Sequence, residues 1–316
     1  MENITILGAG GFIGTNLVLY LLSENIHLTL IDKNAHTFEH LFTLLNTEQK
    51  KRITFHTQDF NEESIFEDIV KDQNVIYHLI STTTPATSNN DISKEFIENI
   101  IMTNNLLQAC IKYNVNKVVF LSSGGTVYGL CKKIPINEYA LTFPINSYGI
   151  QKITIEKLLY FYNYNYGLDY RVVRLSNPYG PYQRPNGIQG VVTTFIYKIL
   201  RGEPVIIYGD GSVIRDYIYI DDAIKGIVNI VNTENNMHLY NLGTGKGYSI
   251  MDLIKVMKKT LNINIEIQYK SKRKVDVPTN ILDITRYKSI VEECKFIDLS
   301  EGITKTAEFL KKFYSI

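Results

Sequence analysis

The run Gly8-Ala9-Gly10-Gly11-Phe12-Ile13-Gly14 follows directly on the apolar stretch Ile4-Thr5-Ile6-Leu7 and leads into the apolar-periodic residues 17–22. Strand, glycine turn and helix in that order constrain the fold more than any other feature of the chain. Glycines at such a turn let backbone N–H groups close on a pyrophosphate at the positive end of the helix. Alone, the pattern also fits a tight turn that binds nothing. A second apolar run, 26–31, ends in Asp32, which sets a carboxylate where the adenosine ribose of a dinucleotide needs one. The two features together predict a nicotinamide-type dinucleotide site.

Apolar strands are expected at 3–7, 27–31, 53–56, 75–79, 117–122 and 170–175, with helices between them, notably 94–113 and 147–166. This alternation predicts an α/β fold, a Rossmann-like doubly wound parallel sheet with its ligand crevice at the carboxyl ends of the strands. After Ser176 the texture changes: Pro178, Pro181, Pro185 and several glycines mark loops. Helices are expected at 191–201, 221–231, 250–261 and 300–313, strands at 205–208 and 265–269, and a turn at Gly209-Asp210-Gly211. We read 1–176 as a dinucleotide-binding domain, with a returning segment near 216–241, and 177–316 mainly as a smaller second lobe.

The 33 Lys and Arg nearly balance the 32 Asp and Glu, a formal net charge of +1. That leaves no electrostatic case for nucleic acid or a membrane surface as partner. Cys110, Cys131 and Cys294 are scattered and odd in number, which argues against a disulfide framework or a metal site and suits a reducing, cytoplasmic setting. No apolar run approaches the roughly 18 residues of a membrane span. The chain enters a strand directly, so no signal peptide is expected.

Tyr148 and Lys152 stand four apart at the start of a helical pattern, so they share one helix face. A phenol has an ordinary pKa of about 10. A lysine ammonium held close favours the phenolate and yields a base able to take a proton from an alcohol. With 22 tyrosines in the chain such a pair also arises by chance. Its position after a dinucleotide fingerprint, just past a strand ending in Ser122-Ser123, makes the chemical reading the stronger one.

These motifs resemble, nearly end to end, the extended short-chain dehydrogenases/reductases of the nucleotide-sugar epimerase/dehydratase family, most like the UDP-glucose 4-epimerases within it. Gly8, Gly11 and Gly14 form the family's glycine pattern, with Phe12 and Ile13 inside it. Asp32 matches its ribose-binding acid, and Asp59-Phe60 the pair facing adenine. Leu79 lies in its fourth-strand motif, His78-Leu79-Ile80-Ser81, and Asn99 matches its central-helix asparagine. Ser122 to Gly129 match its fifth-strand signature, and Ser147-Tyr148-Gly149-Ile150-Gln151-Lys152 supplies the catalytic pair. Tightly held NAD as cofactor is what the resemblance implies. His78 reads as a packed histidine near that cofactor.

On the substrate side the resemblance assigns Asn177, Tyr208, Arg215, Arg273 and Asp276 to a UDP-sugar. Arg215 and Arg273 hold the diphosphate, for which the guanidinium fork is suited. Tyr208 lines the pyrimidine pocket, and Asp276 meets the nucleotide ribose. Lys272 and Lys274 read as surface charges. One departure matters: the Ser or Thr that many relatives carry four residues before the fifth-strand tyrosine is Gly124 here. The hydroxyl then falls to Thr126, with Ser123 close behind. Gly124-Gly125 also replaces the acidic residues with which dehydratases and decarboxylases of this group move protons, and so ranks epimerisation above both.

The implied activity is inversion of the sugar 4-position through a transient 4-keto sugar, in supply of precursors for surface polysaccharide. A nucleotide-sugar 4-ketoreductase or dehydrogenase, and a non-catalytic dinucleotide-binding regulator, are the alternatives. The resemblance also implies a homodimer, with Leu106, Leu107, Cys110, Leu158, Leu159 and Phe161 supplying apolar faces, some of which packing within one chain would explain equally well.

Overall fold

The computed structural model describes residues 2–185, 190–271 and 277–316. The chain divides into two compact units, one of Met1–Ser122, Asn146–Val173 and Glu234–Leu239, the other of Ser123–Ile145, Arg174–Thr233 and Tyr240–Ile316. The strands in chain order are β1 Glu2–Leu7, β2 Ile26–Asp32, β3 Ile53–Thr57, β4 Val75–His78, β5 Lys117–Ser123, β6 Asp169–Leu175, β7 Asn177–Tyr179, β8 Val205–Tyr208, β9 Ile214–Tyr219, β10 Leu239–Leu242, β11 Gly247–Ser249, β12 Ile267–Lys270 and β13 Thr279–Asn280.

Seven of them form the main sheet in the order β10-β6-β5-β4-β1-β2-β3. The ladders β1–β2, β2–β3, β1–β4 and β4–β5 are all parallel, as the strand–helix alternation predicts. The chain builds outward from β1 to β2 and β3, then returns to β1's other side with β4. The carboxyl ends of β1 and β4, where Leu7 pairs with His78, therefore form the topological switch point at which such sheets bind ligands. Both faces of β1 are buried: Ile4, Thr5, Ile6 and Leu7 are each at most 3% exposed. Continuous burial of this kind marks a parallel strand covered by helices on both sides. The one polar member, Thr5, donates its hydroxyl to the Ile69 carbonyl at 2.6 Å.

The single helix expected over 94–113 is three pieces: an α-helix Ile92–Phe96, a π turn Ile97–Ile101 and an α-helix Met102–Lys112. At the π turn Asn99 Nδ2 donates to the Glu95 carbonyl at 2.9 Å, the acceptor that a regular helix gives to the Asn99 N–H. Leu106, Leu107, Cys110 and Leu159 are buried in the first unit's own core beside Phe120, Ile155 and Val172, so they do not supply an outward face. Apolar side chains exposed on these helices include Ile97, Ile101, Ile150, Tyr160, Phe161 and Tyr164.

In the second unit β9 pairs with β7, β11 and β13, and β8 pairs with β12. The helix Ile220–Asn232 buries Ile220, Ala223, Ile224, Ile227, Ile230 and Val231, the i, i+3, i+4, i+7 stripe of an amphipathic helix. No helix among the described residues is long and apolar enough to cross a membrane.

The helix Phe12–Leu21 lies hard against the end of β1. A Cβ built on Gly14 would stand 2.2 Å from the Gly8 carbonyl oxygen and 2.7 Å from the Ala9 Cα. Both obstacles are backbone, so neither can swing away. Gly14→Ala is expected to cost about 1–3 kcal/mol through overpacking. Urea unfolding measures it, and a midpoint equal to that of the parent chain would contradict this packing.

Candidate active site

In the first unit, β1 gives way to Gly8, which takes the left-handed φ of +83° that glycine adopts without strain. Gly8 and Ala9 both donate their N–H to the Ile31 carbonyl of β2, at 2.8 and 3.1 Å. The helix then starts at Phe12 with Gly11 as N-cap and no side-chain cap. Its first-turn N–H groups are thus left to whatever anion lies at the helix start. Asp32, at the end of β2, accepts the Gly10 N–H at 3.1 Å and the Asn34 N–H at 3.3 Å, so its carboxylate is fixed at the rim of the glycine turn. An uncapped glycine-built helix start beside an oriented carboxylate fits the pyrophosphate and ribose of a dinucleotide.

The remaining cofactor candidates divide. Leu79 donates its N–H to the Leu7 carbonyl at 3.1 Å, which keeps it at the switch point. Asp59 folds back on Asn61, accepting from its N–H and its amide. The Phe60 ring is in the core, its centroid 5.3 Å from that of His78 and 5.5 Å from that of Phe66, so Phe60 offers only backbone. Asn99 is buried with its side chain fully engaged: it accepts from the Thr82 N–H at 3.0 Å and donates to the Thr82 hydroxyl at 2.8 Å and to the Glu95 carbonyl. It shapes the loop after β4. His78 is packed, as expected. Burial, then the Lys152 charge, pushes it down to about 3. Since the Thr103 hydroxyl donates to the Asn99 carbonyl, His78 Nε2 must carry the proton of its 2.8 Å bond to Thr103.

Tyr148 and Lys152 lie on the helix Ser147–Tyr166, whose start is held three ways. The Asn146 side chain caps Gly149 at 2.8 Å. The Ser147 N–H donates to Asn89 Oδ1 at 2.7 Å. The buried Glu95 carboxylate accepts from the Ser147 hydroxyl and the Gln151 amide, both at 2.7 Å. Lys152 is 5% exposed. Its ammonium donates to the Leu121 carbonyl at 3.0 Å and stands 4.7 Å from the Phe120 ring and 5.4 Å from the Tyr148 ring. Burial pulls Lys152 down to about 8, with the Glu156 carboxylate opposing. Glu95 and Glu156 are the residues that the sequence reading missed. Glu156 carried a signal, its place four residues beyond Lys152. Glu95 carried none, because only the fold brings residue 95 to residue 147.

In the second unit, Gly124 has no room for a side chain: a Cβ there would stand 2.5 Å from Leu282 Cδ1 and 3.0 Å from the Arg174 carbonyl oxygen. Thr126 sits in the turn that follows, its N–H on the Ser123 carbonyl, and its hydroxyl oxygen is buried without a hydrogen-bond partner. Of the two hydroxyl candidates, Thr126 is the one shown to lack an internal partner. Asn177 donates to the Asp216 carbonyl at 2.9 Å, beside Arg215, which donates to the carbonyls of Ile214 and Val277. Asn177 and Arg215 thus lie on adjacent paired strands. Tyr208 ends β8 in the separate two-stranded sheet. Arg273 and Asp276 lie outside the described residues.

Asp216 is an anchor rather than a ligand group. It is fully buried and accepts from the Thr244 N–H at 2.9 Å, the Thr244 hydroxyl at 2.8 Å, and the N–H groups of Gly245 and Leu282. Burial raises its pKa against those hydrogen bonds.

An uncapped glycine turn with a ribose-side carboxylate, together with a buried lysine one turn behind a partly exposed tyrosine, defines a dinucleotide-dependent protein of the short-chain dehydrogenase/reductase class. The sequence model of the NAD dependent epimerase/dehydratase family matches residues 4–243, and the chain belongs to that family, whose cofactor is NAD. A putative UDP-glucose 4-epimerase of Methanocaldococcus jannaschii is 32% identical over 98% of both chains. The crystal structure of UDP-glucose 4-epimerase from Thermotoga maritima with UDP-glucose is 34% identical, superposes with a TM-score of 0.90 and covers 99% of this chain and all of that one. UDP-glucuronic acid 4-epimerase from Bacillus cereus, solved with UDP-glucuronic acid and NAD, is 27% identical with a TM-score of 0.89 over 99% of this chain and all of that one.

Asp216→Ala would leave two or three buried N–H groups without an acceptor, and each such orphan costs about 1–3 kcal/mol. We expect a loss of about 3 kcal/mol or more in chemical denaturation and a smaller loss for Asp216→Asn. Equal stability of the alanine variant would contradict the anchor.

Proposed function

We propose that this chain is an NAD-dependent epimerase that inverts the 4-position of a UDP-sugar through a 4-keto sugar. The observation that carries the reading is the Lys152 ammonium, buried and held 5.4 Å from the Tyr148 ring. An ammonium so placed favours the phenolate, the form of Tyr148 that takes the proton of the sugar 4-hydroxyl.

In this reading the first unit holds the cofactor. The backbone of Gly8, Gly11, Phe12, Ile13 and Gly14 takes the pyrophosphate and Asp32 the adenosine ribose. Asp59 and the Phe60 backbone face adenine, and Leu79 and Asn99 line the nicotinamide side. A carboxylate at position 32 repels a 2′-phosphate and favours NAD over its phosphorylated form. When bound, NAD supplies reversible hydride transfer at the sugar carbon. Lys152 keeps Tyr148 ionised and returns to the same state after each proton is given back. In the second unit Arg215 and Asn177 bind the diphosphate with Arg273, Tyr208 and Asp276 take the uridine, and the Thr126 hydroxyl, or that of Ser123, meets the sugar oxygen. Fixed binding through the diphosphate lets the keto sugar turn without leaving, which conserves the gain of proximity. The product serves surface-polysaccharide assembly, and the exposed Ile97, Ile101 and Phe161 provide apolar area for a homodimer.

The test is to incubate the purified protein, with no added cofactor, with a panel of UDP-sugars and to follow the anomeric protons by NMR. Catalytic appearance of a 4-epimer supports the reading and names the sugar. Turnover only after NADH or NAD is supplied replaces it with the reductase or dehydrogenase alternative. Retained NAD without turnover of any sugar replaces it with the regulator.

Tyr148→Phe is expected to lower kcat by about a thousandfold or more, on the order of a lost acid–base group, while bound NAD is unchanged by absorbance. Near-normal turnover would overturn the assignment. Lys152 must be protonated to act, and its pKa lies at about 8. Activity is therefore expected to fall as pH rises through that value, read as a basic limb in the pH profile of kcat/KM.

A further inference from the structure

Positions 148, 152 and 156 recur at every fourth residue of the helix Ser147–Tyr166 and so form one row on its surface. Lys152 and Glu156 are 5% and 6% exposed. They reach consecutive residues of β5: the Lys152 ammonium donates to the Leu121 carbonyl at 3.0 Å, and the Glu156 carboxylate accepts from the Ser122 hydroxyl at 2.5 Å. We propose that Glu156 is a positioning residue for the reaction, a buried counter-charge that holds Lys152 as an ammonium beside Tyr148. Its part in turnover rests on the Tyr148–Lys152 assignment made above.

The Ser122 hydroxyl needs only an acceptor, and a neutral amide of the same shape would serve it. A carboxylate in the core is costly unless an opposite charge is close, and Lys152 is the cation one helical turn away. The spacing also decides which partner the carboxylate affects more. Four residues advance about 6 Å along a helix and eight about 12 Å. Glu156 therefore favours the ammonium strongly and opposes the Tyr148 phenolate weakly, because lysine lies between them.

Other titratable and charged groups pack around this helix. From the helix Ile92–Phe96, the buried Glu95 carboxylate accepts from Ser147 and Gln151, and from the helix Met102–Lys112 the Cys110 thiol is pushed up by burial. From β4, His78 is neutral near pH 7, pushed down to about 3 by burial and by Lys152 itself. From β5 come the Leu121 carbonyl, the Ser122 hydroxyl and the Phe120 ring. From β6, Tyr170 is pushed up to about 12, by burial first and then by the Glu156 charge, so it is a neutral phenol at working pH. On the helix itself Tyr148 completes the row. Burial of Lys152 and opposition by Glu156 are the two influences on its proton, in that order of size.

The experiment follows the Lys152 Cε resonance through a pH titration of the NAD-saturated protein carrying 13Cε-lysine, the signal being identified by its loss in Lys152→Met. The expected midpoint is about 8 in the parent chain and lower by about one unit or more in Glu156→Gln, the effect of removing one opposite charge at this range. The basic limb of kcat/KM should move down by the same amount, with KM for the UDP-sugar unchanged. A merely structural glutamate would leave the midpoint where it is, and that result overturns the proposal. Should Glu156→Gln fold poorly, Ser122→Ala/Glu156→Leu removes hydroxyl and charge together and leaves no orphaned donor, and the same fall is expected. If the parent chain turns over no UDP-sugar, the epimerase reading fails while the Lys152 midpoints still decide whether Glu156 is its counter-charge.

Discussion

The approach of the first helix to the end of β1 is the contact on which the nucleotide side of this protein depends. Gly14 rests on the Gly8 carbonyl with no room for a methyl group. That proximity aims the start of the helix at the switch point between β1 and β4, and glycine at the N-cap leaves its first N–H groups without a side-chain acceptor. The same turn lends the Gly10 N–H to Asp32, so one backbone arrangement leaves the helix start open and orients the carboxylate beside it. A larger residue at position 14 would lift the helix away and disturb both.

Beyond that turn, buried polar groups set the geometry. Glu95, Lys152, Glu156 and Asp216 are all under a tenth exposed, and each is held by named donors or acceptors. Burying a charge costs several kcal/mol unless it is paired and hydrogen-bonded, so each fixes its neighbours in a narrow set of positions. Glu95 ties the start of the Tyr148 helix to the loop after β4, and Asn99 ties that loop to the π turn. In the second unit, Asp216 draws the loop at Thr244 and the strand-end at Leu282 onto β9, beside Arg215.

The glycine turn, Asp32 and the Tyr148–Lys152 pair were legible in the chain because their meaning is local: a few residues of spacing decide which backbone atoms and which helix face they present. The parallel sheet was legible for a related reason, since strands covered on both faces leave continuous apolar runs such as Ile4 to Leu7. The π turn was not, because nothing in the side chains of 97–101 announces it: the bond Asn99 makes four residues back is also made by Asn16 and Asn165 within regular helices. Nor was the fate of Leu106, Leu107, Cys110 and Leu159, because an apolar residue on a helix face looks the same whether it meets its own core or a second chain. The short strands β7, β9, β11 and β13 escaped because they lie among loop residues and carry no continuous apolar run like those of β1, β4 and β8.

By itself, then, the sequence determined the fold class, the glycine turn and the shared helix face of Tyr148 and Lys152, since each is written in contiguous residues whose backbone geometry allows few alternatives. Only the tertiary structure decided the rest. It turned the Phe60 ring into the core, gave the Asn99 side chain to Thr82, packed Leu282 into the space beside Gly124, and brought Glu95 to Ser147 and Ser122 to Glu156. Those outcomes join residues tens of positions apart, and burial, hydrogen-bond satisfaction and steric room at such contacts exist only once the chain has folded.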